Sequence, residues 1–85
     1  MKQTWDLGAL NALQKKLIRE LLETDDCSDS LPYAAYVNGK YAEAISALRR
    51  VGLIEVDGEQ ADEVYISLTE EGQEWVKSMP EGAFR

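Results

Sequence analysis

Histidine is absent from the 85 residues, and cysteine occurs once, as Cys27. The first absence excludes a cysteine–histidine zinc set and the second an internal disulfide. No apolar run approaches the roughly 18 residues that a membrane-spanning helix requires. The opening Met1-Lys2-Gln3-Thr4-Trp5-Asp6 has no basic region leading into an apolar one, so an unexported, soluble, cytoplasmic protein is expected. Positive charge is scarce, with 9 Lys and Arg against 16 Asp and Glu and a net charge of -7. The shortage is local. Residues 1–50 hold seven acids and seven bases, whereas residues 51–85 hold nine acids against Lys77 and Arg85. No base falls between Arg50 and Lys77.

What is present is ordinary for a folded globule: 45% apolar and 29% charged residues. A chain of this length buries about 60% of its unfolded surface, enough for one core. A single domain over 1–85 is expected, with its core at about 7–79 and a C-terminal tail at 80–85. Leu10, Leu13, Leu17 and Leu21 recur at helical spacing, widened by Ile18 and Leu22, so the chain from Asn11 to Glu23 reads as an amphipathic helix. Asn11 and Gln14 have the spacing of a capping box. Thr24 to Ser30 reads as a polar loop. Ser30 then caps a short second helix, Leu31 to Val37, with Pro32 in its first turn and Asn38-Gly39 as a positive-φ turn.

A third helix begins near Lys40. It turns Tyr41, Ala44, Ile45, Leu48 and Val51 inward and Glu43, Ser46, Ala47 and Arg50 outward. Gly52 ends it. Ile54 and Val56 alternate with Glu55 and Asp57, and Val64, Ile66 and Leu68 alternate with Tyr65 and Ser67, the period of two half-buried strands. The polar loop Asp57 to Glu63 joins them into a hairpin. Thr69 caps a last helix that has Glu70 and Glu71 in its first turn, is anchored by Trp75, Val76 and Met79, and is closed by Pro80. The fold class is mostly α with a small β-hairpin (α+β), in the order α-α-α-β-β-α. Leu17, Leu21, Ile45, Leu48, Leu53, Ile66 and Trp75 are expected to form one contiguous core.

This order, together with Ala47-Leu48-Arg49-Arg50-Val51-Gly52-Leu53-Ile54 before the hairpin and Leu68-Thr69-Glu70-Glu71-Gly72 after it, resembles the winged helix-turn-helix domain of the MarR and PadR-like transcriptional regulators. The resemblance covers about residues 7–79. It implies that the third helix enters the major groove of duplex DNA while the hairpin, or wing, touches the backbone or minor groove. On that reading Lys40 holds a phosphate, Ser46 reaches a base edge, Arg50 reaches phosphate or guanine, and Asn38 is a further polar contact. Glu43, in the middle of that face, repels phosphate unless it accepts from a cytosine amino group. Members of the family dimerise through long terminal helices that have no counterpart here, so a weak homodimer would have to use the first or last helix.

The wing departs from the family. Asp57-Gly58-Glu59-Gln60-Ala61-Asp62-Glu63 carries no Lys or Arg. A second reading therefore stands beside the first: a protein-interaction module in which Glu55, Asp57, Glu59, Asp62 and Glu63 engage a basic partner, such as a nucleic-acid-binding protein, which they bind or inhibit. Catalysis is not expected, since the chain offers no nucleophile with a base, no metal set and no cofactor loop. No cofactor and no membrane partner are expected. Asp25-Asp26-Cys27-Ser28-Asp29 superficially suggests a calcium loop, but Ser30 stands at the glycine position and Tyr36 at the closing glutamate. Three aspartates around Cys27 disfavour a thiolate, so an inert thiol is expected. Trp5 and Trp75 read as packing groups.

Overall fold

The computed structural model describes residues 5–58, 62–80 and 82–84. A 3-10 turn, Leu7–Ala9, precedes helix α1 (Ala12–Leu22), strand β1 (Ser28–Pro32), helices α2 (Tyr33–Asn38) and α3 (Ala42–Arg50), strands β2 (Ile54–Asp57) and β3 (Glu63–Leu68), and helix α4 (Glu70–Lys77). The domain is α+β, with a three-stranded antiparallel sheet in the order β1-β3-β2. None of the described helices is long and apolar enough to cross a membrane.

The first helix starts where its cap dictates. Asn11 Oδ1 accepts from the Gln14 amide at 2.8 Å, and Gln14 Oε1 accepts from the Asn11 amide at 3.1 Å, so both arms of the capping box form. The next stretch differs from the expected loop and helix. Ser28 to Pro32 is a strand, and α2 starts only at Tyr33, with no side-chain cap from Ser30. Long-range pairing decides this. Leu31 lies opposite Val64 and Ser30 opposite Tyr65, giving the weak strand formers of β1 a ladder on β3. Pro32 is tolerated because β1 is an edge strand and the missing N–H faces no neighbour. Cys27, buried and at φ 54, turns the chain out of α1 into this strand, and its carbonyl accepts from the Leu68 amide at 3.0 Å.

The Asn38-Gly39 turn also differs from expectation, for Gly39 has φ -79 and ψ 179. Glycine is needed there for space rather than for left-handed backbone. Its amide donates to the Ala35 carbonyl at 2.7 Å, and a Cβ would fall far inside van der Waals contact of that oxygen. In α3, Ala44, Ile45 and Leu48 are buried as expected, but Val51 is exposed. Val51 is the C-cap of α3, its amide donating to the Ala47 carbonyl at 3.3 Å. Its carbonyl accepts from Trp5 Nε1 at 2.8 Å.

Beyond α3 the expected pattern forms. Gly52 adopts φ 84, and the alternation of β3 puts Val64, Ile66 and Leu68 inside. The two motifs that flank the hairpin interlock. Thr69 Oγ1 accepts from the Gly72 amide at 2.9 Å, capping α4, and donates to the Gly52 carbonyl at 2.7 Å. The Thr69 amide donates to the Leu53 carbonyl at 3.0 Å, and the Leu53 amide to the Leu48 carbonyl at 3.0 Å. Threonine and glycine at these positions therefore fasten the end of α3 to the start of α4.

All seven expected core residues are buried in one cluster with Ile18, Ala44, Ile54, Leu68 and Val76. Trp5 packs edge-on against Trp75 at 5.5 Å between ring centroids, and Trp75 against Phe84 at 5.8 Å. Phe84 is buried, so the core draws in part of the segment expected to be a tail.

Candidate nucleic-acid interface

Helix α3 is held from behind by its apolar side, which fixes what its other side presents. Glu43, Ser46, Arg49 and Arg50 are exposed on it, and Asn38 and Lys40 are exposed in the turn that leads into it. Four of the residues singled out from the sequence, Asn38, Lys40, Ser46 and Arg50, thus lie on one turn and one helix. Ala47, expected to point away, is half-buried instead. With Leu48 and Val51 it lines a depression of about 360 Å³ closed by Trp5 and Leu10. The N-terminal segment covers that flank of α3 and narrows its free face to the Glu43, Ser46 and Arg50 side.

Sequence reasoning passed over two cations here. Arg49 Nη1 donates to Tyr36 Oη at 3.1 Å, tying α3 to α2. Lys16 of α1 stands beside Lys40, whose ammonium holds Lys16 below the usual lysine range. Two like charges brought together on separate elements repel, and an anion between them relieves the repulsion. Lys40 also lies 5.5 Å from the centroid of the Tyr41 ring. The Tyr41 phenol is pushed above the usual tyrosine range, first by burial and then by the neighbouring Glu20 carboxylate. Neither pairing had a local signal: Arg49 and Tyr36 are 13 residues apart, and Lys16 and Lys40 meet only once α1 and α3 have packed.

Glu43 has a structural reason as well. It lies in the first turn of α3, which has no side-chain cap, and its carboxylate complements the positive end of the helix.

The hairpin presents the opposite charge. Glu55, Asp57, Asp62 and Glu63 are exposed; Glu59, like most of the loop between the strands, lies outside the described residues. The register sets Glu55 against Ser67 and Asp57 against Tyr65, with Ser28 and Ser30 completing the two rows across β1. Strand alternation puts Glu63 on this same outward face. Ser67 Oγ approaches Glu55 Oε1 at 3.5 Å, and Tyr65 is 54% exposed at the centre. Asp62 stands apart, its carbonyl accepting from the Tyr33 amide at 2.9 Å.

The would-be calcium loop has other structure. Ser28 to Ser30 are in β1, and a hydrogen bond from Ser28 holds Asp26 below the usual carboxylate range. Among the described residues no group of three His, Cys, Asp or Glu side chains could hold a metal ion. Cys27 is buried and unpaired with any other cysteine. No protein family, curated protein or solved structure matches the chain.

Proposed function

We propose that this chain is a small winged-helix protein that binds duplex DNA with the outward face of α3 and acts as a transcriptional regulator. The observation that carries the reading is the exposed set Asn38, Lys40, Ser46 and Arg50 on one turn and one helix, in the half of the chain that holds seven of its nine bases. Lys40 stands in the turn before α3 and Arg50 at its end, and the helix between them rises roughly 12 Å from Ala42 to Arg50 at 1.5 Å per residue. The major groove is about 12 Å wide, so the two cations reach the phosphates on either side while Ser46 faces the bases between them. Lys16 reinforces Lys40 at one end, and Arg49 reinforces Arg50 at the other. The pairing of β1 with the hairpin supports the winged-helix reading, since it supplies a three-stranded sheet next to the α2-turn-α3 pair.

Fluorescence anisotropy of a labelled duplex at low salt tests the proposal. Arg50→Ala is expected to weaken binding and to lower the slope of log affinity against log salt by about 1, the loss of one phosphate contact. Glu43→Lys is expected to tighten binding to any duplex. Loss of binding on Glu43→Lys would mean that the carboxylate reads a base, and absence of binding by the unaltered protein would overturn the proposal.

A second reading has its own observation: Glu55, Asp57 and Glu63 share the outward sheet face around exposed Tyr65, with no Lys or Arg in the hairpin. Such a face attracts a basic protein surface and repels phosphate. In the first reading the hairpin is turned away from the duplex; in the second it is the contact.

A further inference from the structure

Away from α3, the last turns of α1 and α4 together with Met79, Pro80 and residues 82–84 line an open groove of about 270 Å³. Its floor and walls are apolar: Leu22, Val76, Met79 and Phe84 are the larger side chains. The charged groups among its described lining are Arg19 and Lys77, both cationic, in a protein whose net charge is -7. As last-turn residues of their helices, both complement the negative helix ends. That role places the cations but does not account for the apolar hollow between them.

We infer that this groove is a binding site for a small aliphatic monocarboxylate, its chain lying over Leu22, Val76, Met79 and Phe84 and its carboxylate meeting Arg19 and Lys77. Apolar walls with a few convergent polar groups are the common form of a small-molecule site. The sign of those groups selects an anion, and the guanidinium of Arg19 matches a carboxylate with two parallel donors. Size selects a medium-length chain, because the volume lies just below the roughly 300–1,000 Å³ of sites that take drug-sized ligands. With the surrounding charge negative, most of the affinity comes from the buried chain and the head group decides orientation. Arg19 lies one helical turn from Lys16 on α1, but the site does not depend on the duplex-binding reading.

Calorimetric titration of the full chain with hexanoate, octanoate, decanoate and the neutral 1-octanol, each below its aggregation concentration, tests this. Affinity is expected to rise about fourfold for each added methylene, the equivalent of ~0.8 kcal/mol, until the groove is filled. The unaltered protein is expected to prefer octanoate to 1-octanol. The variant Arg19→Gln with Lys77→Gln is expected to lose that preference while still binding the alcohol. Both side chains lie outside the core, and an unchanged melting curve will verify that the fold is kept. Equal binding of octanoate and 1-octanol by the unaltered protein would reduce the site to a hydrophobic depression and overturn the inference. Absence of binding, as when another segment or a second copy fills the groove, would overturn it too.

Discussion

Truncation of Leu48 to alanine is expected to lower the free energy of unfolding by about 2–5 kcal/mol, the sum of lost burial and an imperfectly filled cavity. Leu48 is 1% exposed and sits on the side of α3 that faces α1 and β2. Its carbonyl accepts from Leu53, so the side chain anchors the same turn of backbone that leads into the hairpin. Small domains are stable by only about 5–15 kcal/mol, so the loss is a large share of the total. Urea unfolding followed by circular dichroism measures it. A midpoint equal to that of the unaltered protein would mean that α3 does not pack on its Ile45–Leu48 side.

Gly72→Ala is the second large effect, and its sign is not what helix propensity predicts. Alanine in a helix interior is favoured over glycine by about 1 kcal/mol. At this position, however, an added Cβ falls far inside van der Waals contact of the Leu53 carbonyl oxygen and against Thr69 Oγ1. Neither neighbour yields cheaply. The Leu53 carbonyl already accepts from the Thr69 amide, and the Thr69 hydroxyl is both the cap of α4 and a donor to Gly52. Moving α4 outward breaks this junction and unseats Trp75 and Val76. A net loss of about 1–3 kcal/mol is expected, which for a domain of this size lowers the melting temperature by roughly 4–8 °C per kcal/mol. A Gly72→Ala protein that melts at or above the unaltered one would show that α4 lies farther from Leu53.

The same junction explains why so much of the C-terminal half was legible. Thr69 as a cap, Gly52 as a helix end and the alternation of Val64, Ile66 and Leu68 are local devices, each written within a few residues. Strand β1 is the contrary case. Ser-Asp-Ser-Leu-Pro has little strand propensity of its own, and its conformation is imposed by β3, which follows more than thirty residues later. Serine before proline imitates a helix start, and only the pairing of Leu31 with Val64 overrides that signal. Ala47 and Val51 show a second kind of loss. Periodicity correctly gave the buried side of α3, but it could not foresee that Trp5 folds back over Ala47 or that the helix stops one residue before Val51.

For the candidate interface, Lys40, Ser46 and Arg50 were legible because an amphipathic helix declares its outer side through its inner one. Their neighbours were not. Arg49 gains meaning from Tyr36, and Lys16 from Lys40, through contacts between elements that no spacing rule connects. Phe84 belongs with these: an aromatic residue near the chain end has no periodic partner, and its place against Trp75 follows from tertiary packing alone.

Amide chemical-shift mapping during titration with a short duplex tests the central claim most directly, because it reports which face is touched and does not require the operator to be known. Binding by α3 predicts shifts confined to Asn38, Lys40, Glu43, Ser46, Arg49 and Arg50, with Lys16 joining them, all diminishing as salt is raised. Glu55, Asp57 and Glu63 should stay unchanged. Unmoved α3 resonances at low salt, or shifts concentrated on the sheet face around Tyr65, would contradict the account.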